Sequence, residues 1–127
     1  MFPFILCVLL FIVIVLLFSL RCNKSLSLRP FSKVLLVIAH PDDETMFFAP
    51  ALRALTASGH RVFILCVSNG NYEGLGLKRS YELWKAVCFL GVMSSDVTIL
   101  DYDAFPDGGR WDRQALSNVL LWHIEVC

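Results

Sequence analysis

Residues 34–44 read Val-Leu-Leu-Val-Ile-Ala-His-Pro-Asp-Asp-Glu, an apolar run that stops at a histidine, a proline and three carboxylates. A continuous apolar run rich in branched side chains predicts a strand buried on both faces, as found in parallel sheets. Pro41 cannot donate to a strand ladder, so the strand must end there. The polar side chains therefore follow the carboxyl end of a strand, which is where open α/β sheets bind ligands.

The rest of the chain repeats this pattern of strand followed by helix. Apolar runs and helical spacing predict three such units, each opening on a buried strand. Pro50 predicts that the first helix starts with a distinct turn and becomes regular near the proline. Three successive units predict right-handed βαβ crossovers and an α/β fold with a Rossmann-like parallel sheet, in βαβαβα order and incomplete. The predicted strands cover about 33–39, 61–68 and 97–100, and the helices about 44–58, 77–90 and 112–125.

The first 20 residues carry no charge. A helix of that length rises about 30 Å, which matches the hydrocarbon core of a bilayer and predicts one N-terminal transmembrane helix. A cleaved signal peptide and a buried core helix are the alternatives, but no basic residue precedes the apolar run and Ser19-Leu20-Arg21 is a poor cleavage site. The linker 21–32 is basic, so the positive-inside rule predicts a cytosolic domain over 33–127.

The composition of the chain indicates which kinds of molecule it is not expected to bind. The chain has 127 residues and is 57% hydrophobic, whereas residues 33–127 carry 8 basic and 11 acidic side chains. Without a basic patch interleaved with aromatic residues, nucleic acid is not expected as a partner. The five cysteines are irregularly spaced and form no Cys-x-x-Cys motif, which favours a reducing compartment over a disulfide framework.

The residue types after the first strand suit hydrolytic metal chemistry. His40 and Asp43 are of the kinds that bind Zn²⁺, and a second carboxylate such as Asp42 can accept a proton from an attacking water. The alternative is a simple turn in which Asp42 or Asp43 caps the next helix. Arg79, at the start of the second helix, either pairs with Glu82 in solvent or contacts a sugar hydroxyl or a lipid phosphate.

A hydrolytic zinc site needs about three protein ligands. The topology predicts His60 and His123 at the amino edge of the sheet, too far from the motif to serve. Asp101, Asp103 and Asp107 are predicted at the same edge as the motif. One of them could complete the site, and turn and capping chemistry is the alternative.

The string Val-Ile-Ala-His-Pro-Asp-Asp-Glu-Thr, at 37–45, resembles the signature of the zinc-dependent de-N-acetylases that act on N-acetylglucosaminides. Together with the apolar N-terminus, the Ser-Asn-Gly-Asn-Tyr loop at 68–72 and the Phe-Pro-Asp turn at 105–107, the likeness extends over residues 1–125. These features resemble the branch of the family that deacetylates the membrane lipid N-acetylglucosaminylphosphatidylinositol. The resemblance therefore implies GPI-anchor biosynthesis at the endoplasmic reticulum membrane.

The resemblance also implies roles for particular residues. His40 and Asp43 correspond to ligands of Zn²⁺ or another divalent metal, and Asp42 corresponds to the general base. Arg79 corresponds to a substrate-contacting arginine, and Glu44 is expected to supply a supporting hydrogen bond. The implied reaction is metal-assisted hydrolysis of an amide.

The family's third metal ligand is a histidine in a later His-x-x-His-type segment, after a fourth strand, and this sequence has no such segment. We therefore expect the chain to be the front part of a de-N-acetylase domain, truncated at its C-terminus, with an uncovered edge on the first strand. A non-catalytic membrane-anchored fragment is the alternative interpretation. A nucleotide-binding module is disfavoured because the glycine-rich stretch 69–76 contains neither Gly-x-Gly-x-x-Gly nor a Walker loop.

Overall fold

The computed structural model describes residues 12–14 and 28–126 and confirms the predicted α/β architecture. Three strands form one parallel sheet in the order β1-β2-β3. Each strand is followed by a helix, as the repeated apolar pattern predicts. The strands are β1 (Lys33–Ile38), β2 (Arg61–Cys66) and β3 (Val97–Ile99), and the helices are α1 (Ala49–Ala57), α2 (Gly76–Phe89) and α3 (Arg113–Val126).

Helices cover both faces of the sheet. On one face, Ile38, Ile64 and Cys66 of the strands pack with Leu52 of α1 and Leu83 of α2 in one buried cluster. The other face carries a second buried cluster, against which the inner side of α3 packs. Because both faces are covered at β2, its side chains from Ile64 to Cys66 are buried, which explains its continuous apolar run. The prediction that β1 is buried on both faces is wrong among the described residues: of its six residues only Ile38 is buried, because β1 lies at the edge of the sheet.

The first helical stretch begins in two parts, as the position of Pro50 predicts. Residues Glu44–Phe48 form a wide π-helical turn, and the regular helix α1 begins at Ala49. Pro50 therefore lies in the first turn of α1, where its missing N–H breaks no helical hydrogen bond.

Strand β1 lies at one edge of the sheet. Among the described residues it pairs only with β2, in a register that sets Val34 opposite Val62 and Ile38 opposite Cys66. Val37 is more than a third exposed, and the turn that follows β1 exposes Met46 and Phe47. The uncovered edge expected for this strand is therefore present in the part of the chain that the structure describes.

The predicted membrane anchor over 1–20 lies outside the described residues, apart from a helical stretch at 12–14, and so does most of the linker 21–32. Within the two described ranges, no helix combines the length and apolar character that crossing a bilayer requires.

Candidate active site

The carboxylate of Asp43 accepts hydrogen bonds from the backbone at the end of β1. Its Oδ2 accepts hydrogen bonds from the backbone N–H groups of Ala39, at 3.0 Å, and His40, at 3.1 Å. No side-chain hydrogen bond caps the following helical turn. Asp43 stands at the N-cap position of this turn, but neither aspartate caps it through its side chain, so that part of the alternative is wrong. The Asp43 carboxylate instead fixes the backbone that presents His40.

Asp42 occupies an unusual backbone conformation. Its φ is +116°, outside the regions that residues with a side chain normally adopt, and such strain concentrates at functional sites. Its N–H donates to Oε2 of Glu44 at 2.9 Å, and Glu44 is only 2% exposed. The buried glutamate thus makes the expected supporting hydrogen bond, while the Asp42 carboxylate stays about half exposed.

Arg79 joins the loops that follow the first two strands. Its Nη2 donates to the carbonyl oxygen of Pro41 at 3.0 Å and to Oδ2 of Asp42 at 3.1 Å. Its Nη1 donates to the carbonyl oxygen of Gly70 at 2.9 Å. The proposed solvent pair with Glu82 is wrong, because the guanidinium is occupied by these groups.

Gly70 makes this arrangement possible. Its φ is +70°, and a Cβ added there would lie 2.2 Å from Nη1 of Arg79. Only glycine combines that backbone conformation with so close an approach of the guanidinium.

Asp107 brings the loop after β3 to the same point. Its Oδ2 accepts the backbone N–H of Tyr72 at 3.1 Å and lies 3.6 Å from Nη1 of Arg79. Its Oδ1 lies 3.1 Å from Nε2 of His40. All three loops at the carboxyl edge of the sheet therefore meet around His40, Asp42 and Arg79.

The close approach of Asp107 to His40 is not a hydrogen bond. The two atoms are within ion-pair distance, yet Nε2 of His40 is buried and has no hydrogen-bond partner of acceptable geometry. The imidazole is flanked by Trp111, whose ring centroid is 6.2 Å away. A buried, unpartnered ring nitrogen beside a carboxylate is an arrangement that a divalent metal would satisfy.

Of the three aspartates that could complete the site, Asp107 lies 3.1 Å from His40, whereas Asp101 and Asp103 are exposed in the same loop. His60 lies beside Arg61 and Met93 at the amino edge of the sheet, as predicted. His123 is also away from the site: it is buried on α3, packed near the middle of the sheet.

The imidazole and carboxylate side chains at this site are suitable ligands for Zn²⁺, but too few of them come together to complete its coordination sphere. Within residues 12–14 and 28–126, no three His, Cys, Asp or Glu side chains are arranged to hold a metal ion. Nε2 of His40 is buried without a hydrogen bond, 3.1 Å from Asp107, whereas one oxygen of Asp43 already accepts two backbone N–H groups. These residues would hold part of a metal's coordination sphere and leave other positions open.

Two cavities flank Arg79. The larger has a volume of about 540 Å³, which is in the usual range for a small-molecule site. It is lined by Gly70, Tyr72, Glu73, Leu75, Arg79, Asp107 and Gly108. The smaller, of about 210 Å³, lies between the motif loop and α2 and includes Asp42 in its wall. A ligand in either cavity would meet the guanidinium.

Cys66 lies beneath the motif but is not a candidate nucleophile. Burial raises the pKa of its thiol to about 12, and its Sγ lies 3.1 Å from the carbonyl oxygen of Ser68. A thiol with so high a pKa is almost entirely protonated at neutral pH, and it is the thiolate that attacks.

Comparison with known proteins places the chain among the GlcNAc-PI de-N-acetylases. Residues 35–125 match the sequence pattern of the PIG-L family, described as GlcNAc-PI de-N-acetylase. The N-acetylglucosaminyl-phosphatidylinositol de-N-acetylase of Bos taurus is 46% identical over 97 residues, covering 75% of this chain and 38% of that protein. A probable enzyme of the same name from Dictyostelium discoideum is 39% identical over 95 residues, covering 73% of this chain and 37% of that protein.

Among solved structures, the fold is similar to that of N,N'-diacetylchitobiose deacetylase from Pyrococcus horikoshii in complex with its inhibitor. The TM-score is 0.58 at 23% identity, over 76% of this chain and 39% of that one. The present chain thus spans less than two fifths of the length of each of these proteins.

Proposed function

Because the chain belongs to the PIG-L family of GlcNAc-PI de-N-acetylases, we propose that it hydrolyses the acetamide of N-acetylglucosaminylphosphatidylinositol, the second step of GPI-anchor biosynthesis. The observation that carries this proposal is the convergence of the three carboxyl-edge loops on Arg79, beside a cavity of about 540 Å³. We further propose that residues 1–20 anchor the protein in the endoplasmic reticulum membrane and that residues 33–127 face the cytosol.

Asp42 is the general base of the proposed reaction. Its carboxylate is half exposed in a cavity wall, and the Arg79 guanidinium holds it at 3.1 Å. A carboxylate so placed can accept the proton of a water that attacks the acetamide carbonyl carbon. The proton then passes to the departing amine when the C–N bond breaks, giving acetate and the free amino sugar.

His40 and Asp43 are the proposed metal ligands, and Asp107 flanks the His40 ring. A bound Zn²⁺ would polarise the acetamide oxygen and lower the pKa of the attacking water. The backbone N–H groups that bind Asp43 fix the position of its carboxylate, and the strand end fixes His40. Neutral imidazole and carboxylate are suitable donors for this ion or another divalent metal.

Arg79 is the proposed substrate-contacting residue. It lines both cavities and is about a quarter exposed, so a sugar hydroxyl can reach the outer side of its guanidinium. Its inner side stays bound to Pro41 and Gly70, which keeps the charged group from moving with the ligand.

A non-catalytic membrane-anchored fragment is the second candidate. Two observations favour it: the described residues contain no set of three metal-binding side chains, and β1 has an uncovered edge among them. If this candidate is right, the chain carries the family's sequence motif at 37–45 but does not deacetylate N-acetylglucosaminylphosphatidylinositol.

The two candidates are separated by a product assay. The purified chain in detergent is treated with chelator, supplied again with Zn²⁺ and given N-acetylglucosaminylphosphatidylinositol, and the free amine is measured. We expect zinc-dependent product, with Asp103→Asn as a control that removes an exposed acid from the same loop. Absence of product, while the Bos taurus enzyme turns over in the same detergent, would favour the fragment.

A further inference from the structure

Exposed apolar and aromatic side chains line the larger cavity and continue onto the first turns of α2. Tyr72 and Leu75 line the cavity, and Leu77 and Tyr81 follow on the outer face of α2. Leu77 is 91% exposed and Tyr72 is 78% exposed. We call these four side chains the mouth rim. Single exposed apolar residues need no explanation, but a contiguous group beside a site marks an interaction surface.

Two lysines lie beside the mouth rim, where their long side chains can reach lipid phosphates. Lys78 follows Leu77 directly, and Nζ of Lys85 lies 4.5 Å from the ring centre of Tyr81. Tyrosine and lysine are the residues that favour the boundary between hydrocarbon and water, because each has an apolar body and a polar end. Glu82 lies between them and is 3.9 Å from Lys78, and Glu73 lines the cavity itself, so the two lysines and two glutamates of this face balance in charge.

Exposed apolar side chains alone do not select this edge of the sheet. Phe31, Phe89 and Met93 are exposed at the amino edge, where the chain enters β1. The two edges are separated by the six residues of β2, a distance of about 20 Å. Only one of them can lie flat against the membrane.

The reach of the substrate decides between the edges. This step rests on the proposed function, in which the acetamide belongs to a sugar joined through one inositol to the lipid phosphate. The acetamide must reach Asp42, at the carboxyl edge, while the acyl chains remain in the bilayer. A headgroup of two rings is shorter than the about 20 Å of β2, so it cannot serve a site whose mouth faces away from the membrane.

We propose that the mouth rim is a membrane-docking surface that sets the cavity against the headgroup layer of the bilayer. Leu77 and the tyrosines insert at the boundary between headgroups and acyl chains, and Lys78 and Lys85 pair with lipid phosphates. The substrate then enters the cavity sideways from the membrane without leaving it.

Tryptophan reporters test this orientation. Leu77→Trp and Phe89→Trp stand at opposite ends of α2, about 18 Å apart, and both replace exposed side chains, so neither is expected to disturb folding. Tyr81→Trp is a second reporter on the rim, and Met93→Trp is a second reporter at the amino edge. The full chain is reconstituted in vesicles of phosphatidylcholine and phosphatidylinositol, with brominated phosphatidylcholine as the quencher and parent fluorescence subtracted.

We expect the bromolipid to quench the two rim reporters at least about twofold more than the two amino-edge reporters, since interfacial side chains insert about 5–10 Å. Stronger quenching at the amino edge, equal quenching at both edges, or no quenching of the rim reporters would overturn the proposal. No substrate is present, so the result does not depend on turnover. If the chain forms product but the rim reporters are not quenched, the proposed function stands and only the proposal of a docking surface is refuted.

Discussion

Replacing Gly70 with alanine should detach Arg79 from the site. The added Cβ would lie 2.2 Å from Nη1 and 2.5 Å from Cζ, so the guanidinium has to move away. It would then lose its hydrogen bonds to the carbonyl oxygens of Pro41 and Gly70 and to the Asp42 carboxylate. Hydrogen bonds of charged groups contribute about 1.5–3 kcal/mol each, and water replaces part of this at so open a site.

The chain offers a matched control at Gly74. Its φ is +74°, close to the +70° of Gly70, but a Cβ there would meet nothing within 4 Å. Gly74→Ala should therefore cost only the backbone strain of a left-handed alanine, about 1 kcal/mol. Gly70→Ala carries the same strain and also loses the Arg79 contacts, for a total of about 2–4 kcal/mol.

Urea denaturation of the two variants measures the difference, and a double mutant isolates its cause. In an Arg79→Ala background, Gly70→Ala should cost no more than Gly74→Ala, because the guanidinium is already absent. Hydrogen exchange of the loops after β1 and β2 should rise in Gly70→Ala alone. Equal destabilisation by both alanines in the parent chain would refute the assignment of Arg79 as the group that joins these loops.

Three further predictions concern the core and two titratable groups. Leu83→Ala should lower the free energy of unfolding by about 2–5 kcal/mol and Leu77→Ala by no more than about 0.5, because the first is buried and the second exposed; similar urea midpoints would contradict this packing. The Arg61 guanidinium, at 2.8 Å, lowers the pKa of Asp96. The pair's contribution, about 1 kcal/mol since Arg61 is half exposed, is therefore present at neutral pH and lost as the pH falls below about 4. An Asp96→Asn variant with an unchanged acid dependence of stability would contradict this. Cys66, with a pKa of about 12, should resist iodoacetamide at pH 8 in the folded chain and react in urea, as followed by mass spectrometry of its peptide; rapid labelling of the folded chain would show that the thiol is accessible.

Much of the fold could be predicted because its signals are local. The strands β1 and β2 coincide with apolar runs in the sequence. Pro41 follows the end of β1, and Pro50 lies where the regular helix α1 begins. Each of these effects acts within a few residues of the chain, so a pattern of side-chain types is enough to locate it.

The contacts of the site could not be predicted in the same way, because they join residues far apart in sequence. Asp101, Asp103 and Asp107 are chemically identical and lie in one loop, and only the path of that loop brings Asp107 to His40. The partners of Arg79 are two backbone carbonyls and two carboxylates from three loops. Sequence spacing suggested Glu82 instead, since residues three apart on a helix are neighbours.

Gly70 and Trp111 were missed for a related reason. A glycine in a loop is usually read as a turn former, and only the position of the Arg79 guanidinium shows that a side chain would not fit. Trp111 precedes α3, and no motif in the sequence singles it out. The structure shows that it contacts Phe105 and flanks His40, so the third unit of the fold contributes to the surroundings of His40.

The most direct test of the proposed chemistry compares the parent chain with Asp42→Asn. Asparagine keeps the size of the side chain and can still meet the Arg79 guanidinium through its oxygen, but it cannot accept a proton. With zinc and N-acetylglucosaminylphosphatidylinositol in detergent, the account predicts turnover by the parent chain that falls at least about 100-fold in the variant, the range expected for loss of a general base. Equal turnover by the two chains, or no turnover by either, would contradict Asp42 as the base of an active site in this protein.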